Sequence, residues 1–305
     1  MKKDKTSLKS SFLLFLAAAI WGVAFVAQSV GMDYMGPCTF NGVRFLIGGT
    51  VLLPFIWYRE KKNRKSDPSR QKSGDRKSML TGGICCGLAL CIASLLQQFG
   101  IQYTTVGKAG FITTLYIIIV PFLGIFLRKK IGAKVWIGAV IAVAGMYLLC
   151  MSESFSLSRG DALVLACAVV FSVHILVVDY FSPKMDSEKL SCMQFYTSGI
   201  ICTVLAFLTE TPSLDAVVAG AVPVLYAGVL SCGVAYTLQV VGQKNVEPTV
   251  AALLLSMESV VSVLAGWALL NQKLSIRELS GCVLVFAAVI LVQLPDKMSA
   301  KGDKK

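Results

Sequence analysis

Charge is scarce in this chain and histidine almost absent. Only 15% of the 305 residues are Asp, Glu, Lys or Arg, and one is histidine. A soluble domain of this length could not cover its surface with so few charges. The lone His174 leaves no Cys/His metal site, although there are ten cysteines. Cys85-Cys86 is not a ligand spacing. Most of the cysteines (Cys85, Cys86, Cys91, Cys150, Cys167, Cys202, Cys232 and Cys282) lie in apolar runs, where a thiol behaves as a small hydrophobe. Neither disulfides nor a metal or other cofactor is expected. No Gly-rich phosphate loop of the Walker type is present, so no ATP-driven pump is indicated. No Ser-His-Asp arrangement or pair of catalytic groups at one depth stands out, so an enzyme is not expected.

What fills the chain is apolar sequence: 55% of residues are hydrophobic and the mean hydropathy is +0.71. Apolar runs near twenty residues recur at roughly 11–32, 37–58, 79–101, 107–127, 133–151, 161–181, 190–209, 218–240, 248–270 and 277–295. Each is long enough for a hydrocarbon core of about 30 Å, and lipid leaves helix as the only way to satisfy such backbone. The expectation is an all-α integral membrane protein of ten transmembrane helices. Pro37 and Pro248 open the second and ninth helices, where a missing N–H costs nothing, and Ser158 with Asp161 opens the sixth. Trp57, Tyr58, Tyr103, Trp136 and Trp267 fall near the expected interfaces. The basic, then apolar, start resembles a secretory leader. Its apolar run continues to Met32 and has a partner later in the chain, so it reads as a retained helix.

The net charge of +12 points to a membrane surface rather than to nucleic acid, because of where the charge lies. With the N-terminus in the cytoplasm, nine Lys and Arg crowd into the loop 59–78. Only Lys108, Arg159, Lys273 and Arg277 fall in loops on the outer side, and Arg44 lies inside a helix. This asymmetry sets a multi-pass orientation in the cell membrane with both termini cytoplasmic. The basic loop 59–78 reads as a contact with anionic headgroups, and 296–305 as a disordered cytoplasmic tail.

The hydrophobic pattern is written twice. Gln97, Gly100, Ala109 and Gly124 fall on Gln239, Gly242, Ala251 and Gly266 at a constant offset of 142. After one inserted residue, Lys130, Gly138, Val140 and Ala144 fall on Lys273, Gly281, Val283 and Ala287. Ala18 and Phe45 fall on Ala168 and Phe195 at offset 150. Five helices per half is an odd number, so the second half enters from the opposite side. The halves, 11–151 and 161–295, are therefore expected to be inverted repeats within a single transmembrane domain spanning 1–305, as in carriers that rock one half against the other.

Ala19-Ile20-Trp21-Gly22 in the first helix, Arg44-Phe45 in the second, and Gly-rich fifth and tenth helices give the chain a resemblance to EamA-type transporters of the drug/metabolite transporter superfamily. The resemblance covers about 11–295. It implies a ten-helix carrier of small organic metabolites, often amino acids or related compounds, with export common. It also implies a cavity lined by helices one, three, four, six, eight and nine. The chain departs from the family where Gly-Glu pairs are usual, reading Arg128-Lys129-Lys130 and Asn271-Gln272-Lys273, and where a Pro often follows the Glu of helix nine, reading Ser259.

Polar residues at membrane depth are few, and each is a candidate. Glu258 lies near the middle of helix nine, with Tyr116 at the matching place in helix four. Its carboxyl is read either as binding a substrate ammonium or coupling proton, or as holding the bundle through a hydrogen bond. Arg44, whose repeat partner is Gln194, either attracts a substrate carboxylate, or snorkels outward or pairs with an acidic residue. His174 matches Ala24, which shares a helix face with Trp21 and Gln28, so it is read as lining the cavity or as a helix contact. Gln97 and Gln239 occupy equivalent places. Trp21, Arg44, Gln97, Tyr116, His174, Gln239 and Glu258 form the candidate substrate site. Pro121 interrupts helix four and frees the carbonyl of Ile117, which makes it the candidate gate, with a static kink as the alternative. The small residues Gly138, Ala142, Gly145 and Gly281 allow close packing within a half or a homodimer. The expected protein is a secondary transporter of amino acids, related compounds or drugs, working by alternating access, with export favoured. A receptor or scaffold that binds a small metabolite without moving it is the alternative.

Overall fold

The computed structural model describes residues 2–66, 76–104, 106–127, 132–150, 158–270 and 275–293, and these hold helices but no strand. The helices are α1 (Lys2–Gly31), α2 (Pro37–Ser66), α3 (Arg76–Ile101), α4 (Val106–Thr114), α5 (Tyr116–Phe126), α6 (Ala133–Cys150), α7 (Arg159–Phe181), α8 (Ser187–Thr209), α9 (Leu214–Ala219), α10 (Ala221–Leu225), α11 (Thr237–Gln243), α12 (Pro248–Leu255), α13 (Met257–Leu270) and α14 (Ile276–Gln293). A π-helical stretch, Tyr226–Tyr236, joins α10 to α11.

Eight segments among the described residues are long and apolar enough to cross a membrane. Ten were expected. The other two places hold α6 and α14, of 18 residues each. That is about 27 Å of helix, a little less than the hydrocarbon core. The helix of α2 runs on through the basic residues to Ser66 and α3 begins at Arg76, so the expected loop 59–78 is helical at both ends. Its middle, the tail 296–305 and Arg128-Lys129-Lys130 lie outside the described residues.

Local chemistry explains the starts. Pro37 and Pro248 stand first in α2 and α12. At α7, Asp161 N–H donates to Ser158 Oγ (3.1 Å) and Ser158 N–H donates to Asp161 Oδ2 (2.9 Å), a capping box. At α2 the orphan N–H groups of Cys38 and Thr39 donate to the Glu210 carboxylate at 2.7 and 2.8 Å. That carboxylate follows α8, so a cap doubles as a tie between distant segments.

Residues one repeat apart meet each other. The Phe45 and Phe195 rings stack with centroids 6.1 Å apart, where α2 packs along α8. Helix α6 packs along α14, and a Cβ on Gly145 would lie 2.8 Å from the carbonyl of Gly281. The small faces expected to serve a half or a homodimer are thus used between the two halves of one chain. Trp57, Tyr58, Tyr103 and Trp267 are all exposed. All nine described cysteines are free.

The two ends differ in chemistry. Arg59 and the start of the basic segment mark one as the basic end; the opposite one is the far end. At the basic end Arg59 pairs with Glu188, Lys189 with Glu60 at 2.6 Å, and Lys244 Nζ donates to Met185 O at 2.9 Å. Burial pulls the Lys244 ammonium below its ordinary range. At the far end Asp161 accepts from Thr104 and lies 3.6 Å from Lys108 Nζ.

Candidate functional site

Two of the expected spanning helices are broken near mid-depth, one of them at a place other than the expected one. The first break separates α4 from α5 at Leu115, and the second separates α12 from α13 at Ser256. Hydroxyls that turn back on the preceding backbone accompany both. Thr114 Oγ1 donates to Phe111 O at 2.9 Å. Ser256, Ser259 and Ser262 donate to Leu253, Ser256 and Ser259 carbonyls at 2.7–2.8 Å. Such back-bonding competes with the helix ladder and bends it. Pro121, expected to interrupt this helix, instead sits inside α5, nearly two turns beyond the break.

The breaks bring Tyr116 and Glu258 together. Tyr116 Oη–H donates to Glu258 Oε1 at 3.0 Å, across 142 residues of chain. Both side chains are buried, at 4% exposure. Helix α1 approaches α13 closely enough that a Cβ on Gly22 would lie 2.8 Å from Glu258 O. Glycine at that position is therefore what lets α1 form a wall beside the carboxyl.

Beside this pair lies a pocket that, counted with the open space it meets, holds about 470 Å3 of empty volume. Trp21, Phe25 and Gln28 contribute a stripe of α1, and Phe171 and Ile175 a stripe of α7. Trp21 is fixed by donating Nε1–H to Ser231 O (3.3 Å) in the π-helical stretch and by an edge contact with Tyr236 at 4.6 Å. Tyr226 Oη–H donates to Ile20 O at 3.0 Å. π-Helical turns are rare and recur at functional sites; this one supplies Ser231 and Tyr236 to the lining.

Of the candidate residues, Trp21, Arg44, Gln97, Tyr116, Gln239 and Glu258 all line this cavity. Gln97 donates to Thr113 Oγ1 at 3.2 Å, while Gln239 Oε1 is buried without a partner. Arg44 is 2% exposed. Its guanidinium lies 4.9 Å from the centre of the Phe45 ring and 5.6 Å from that of Phe40, a cation–π setting. Its Nε has no partner, and no carboxylate among the described residues forms an ion pair with it.

His174 is placed elsewhere. It is fully buried behind the lining, with Nε2 3.0 Å from Gln194 Oε1. Phe171 and Ile175 take the wall that His174 was expected to form. Sequence reasoning missed Phe25, Thr113, Phe171, Ile175, Ser231, Tyr236 and Leu255. Phe25 was accessible, since Trp21, Phe25 and Gln28 are spaced as one helix face; carried across the repeat, that stripe gives Phe171 and Ile175.

The apolar spans describe a multi-pass membrane protein, with a pocket among its buried polar groups. Residues 8–151 and 158–294 each match the EamA-like transporter family, and the chain belongs to that family. It is 29% identical over 282 residues to an "Uncharacterized transporter" of Archaeoglobus fulgidus, covering 92% of this chain and 84% of that one. It is 24% identical over 295 residues to the "Uncharacterized inner membrane transporter YedA" of Escherichia coli K12, covering 91% and 89%. A solved crystal structure shares the fold with a TM-score of 0.75 at 18% identity, covering 93% of this chain and 96% of the other.

Proposed function

We propose that the chain is a secondary transporter of amino acids or closely related compounds. It consists of two inverted five-helix repeats and works by alternating access, with the basic end in the cytoplasm of the cell membrane. The observation that carries the substrate class is the pairing of Arg44 and Glu258 in one cavity with no salt bridge between them. A buried guanidinium and a buried carboxyl left apart are each costly to keep unless something else satisfies them. A molecule with a carboxylate and an ammonium does so: the carboxylate takes the Arg44 fork and the ammonium takes Glu258, displacing or sharing the Tyr116 hydroxyl. The amides of Gln97 and Gln239 and the face of Trp21 hold the remainder.

The matched contacts Phe45–Phe195 and Tyr116–Glu258 support the repeat reading. A two-fold axis in the membrane plane brings a residue against its own counterpart only where it passes between them. The inner-membrane wording of one relative's name supports the location. Export is the favoured direction.

The test is flux in liposomes. Purified protein is reconstituted and the movement of a panel of radiolabelled amino acids is followed with and without a pH gradient. Saturable flux that is lost in Glu258→Gln is the expected result. Amino acids that bind without moving, in protein shown to be folded and inserted, would overturn transport in favour of a receptor or scaffold.

A further inference from the structure

The repeat pairs Ala24, Gln28 and Arg44 with His174, Val178 and Gln194 at offset 150. On the far side of the cavity Ala24 is small, and Arg44 and Gln28 reach the open space. On the basic side the equivalent space is filled. His174 and Gln194 are both 0% exposed and face each other at 3.0 Å. The His174 ring stands edge-on to Phe171 and Tyr236 at 6.3 and 6.2 Å.

That pair is only half satisfied. His174 Nδ1 and Gln194 Nε2 are buried with no hydrogen-bond partner. A buried polar atom left unpaired is expensive to keep in one conformation. With Gln194 Oε1 accepting from the ring, Nδ1 is a free acceptor and the amide a free donor. These are the complements of an ammonium and a carboxylate. Between them and the basic end stands an apolar layer that includes Val178, Leu190 and Val240, all fully buried.

We propose that His174 and Gln194 form a second binding subsite for the carried amino acid. It is the basic-side counterpart of Arg44, sealed by this apolar layer in the present conformation and uncovered when the carrier opens at the basic end. The proposal rests on the alternating-access reading above. Gln194 takes the carboxylate by a neutral hydrogen bond in place of the Arg44 ion pair, and His174 Nδ1 takes the ammonium. The same molecule is therefore held more weakly on the basic side than on the far side.

Cysteine accessibility tests this whichever amino acid is carried. Gln194→Cys, Val178→Cys and, as the far-side reference, Arg44→Cys are placed in oriented vesicles. They are treated with a membrane-impermeant maleimide from either face, with the parent protein as baseline. Val178→Cys is close to volume-conserving and keeps the test alive should Gln194→Cys misfold. The expected result is labelling of positions 178 and 194 from the basic face, an order of magnitude faster than from the far face, and the reverse at position 44. A mixture of the common amino acids should slow labelling at 194 several-fold. Labelling at 44 from the far face, with flux present but 178 and 194 inert from both faces, would overturn the subsite and leave transport standing. Labelling at 194 that carried amino acids never slow would also overturn it, leaving a bare access path. Inert positions throughout, with no flux of any amino acid, would remove the transport reading and this proposal together.

Discussion

The far and basic sides of the cavity are built on one pattern and filled with opposite chemistry. Gln28, Arg44 and Gln98 on the far side correspond to Val178, Gln194 and Val240 on the basic side. The first set is buried yet under-bonded: Gln28 Oε1, Arg44 Nε and Gln98 Oε1 have no partner. Of the second set, Val178 and Val240 are fully buried in an apolar layer with Leu190. Each fully buried aliphatic side chain is worth about 1.5–3 kcal/mol when its alternative is water. Each buried polar atom left unpaired costs about 1–3 kcal/mol. Unpaired polar atoms occur on both sides, His174 Nδ1 and Gln194 Nε2 among them on the basic side, so the contrast lies at positions 178 and 240, where valine gains by staying covered, against 28 and 98, where an amide gains by meeting water or a ligand. Side chains at matching positions thus make the two ends unequal.

Two substitutions break that comparison most severely. Arg44→Gln gives the far side the residue of the basic side and removes the buried cation. The expected loss in kcat/KM for a carried amino acid is about 100-fold, from an interaction worth ~2–3 kcal/mol, measured as initial flux in liposomes against concentration. Glu258→Gln keeps the shape and the Tyr116 contact but removes the negative pole. A loss of about tenfold or more is expected at every pH tested. Wild-type flux from this variant across the pH range would falsify the carboxylate role.

How much of this was legible depends on what the chain records locally. Apolar run length located the eight candidate spans, although α1 starts nine residues before and α2 ends eight residues after the expected bounds, and prolines marked the starts of α2 and α12. The offset of 142 paired Tyr116 with Glu258, which touch. The breaks at Leu115 and Ser256 were not legible, because serine and threonine in an apolar run also read as ordinary helix-contact residues. The π-helical stretch Tyr226–Tyr236 has no compositional mark at all. His174 went astray for a rotational reason. Phe171 and Ile175 lie about 40° apart around α7 and face the cavity, while His174 lies about 60° to the side. Facing of that precision is set by packing, here by Gln194, and not by periodicity.

A third change sharpens the comparison by moving far-side chemistry to the basic side. Val178→Gln places the residue of the first half into the apolar layer of the second. Its amide has no waiting partner, so stability in detergent should fall by about 1–3 kcal/mol, read as a lower melting temperature. Water drawn toward the amide should also loosen the seal. Gln194→Cys in the same chain should then react faster with an impermeant thiol reagent from the basic face. A loss of stability with unchanged reactivity would mean that the layer is packing only, and that the polar contrast between the sides does not govern access.

The smallest effect is expected at Pro121, because the break in its helix does not depend on it. Leu115 N–H already donates to Ile112 O at 3.2 Å, and Ile118 N–H to Leu115 O at 3.0 Å, which is the tight-turn pattern of a helix interrupted before Pro121. The proline, nearly two turns past the break, adds a second weakness by removing a donor to Ile117 O. In the matching helix α13 no proline follows the break, so one half carries two flexible points and the other carries one. If α5 pivots during the cycle, Pro121→Ala should stiffen it, slow maximal flux by about two- to threefold and leave the half-saturating concentration unchanged. The break at Leu115 should persist, so flux should not vanish. Equal changes in maximal flux and half-saturation would instead place Pro121 in the static packing of the site, and the pivot would then lie at Leu115 alone.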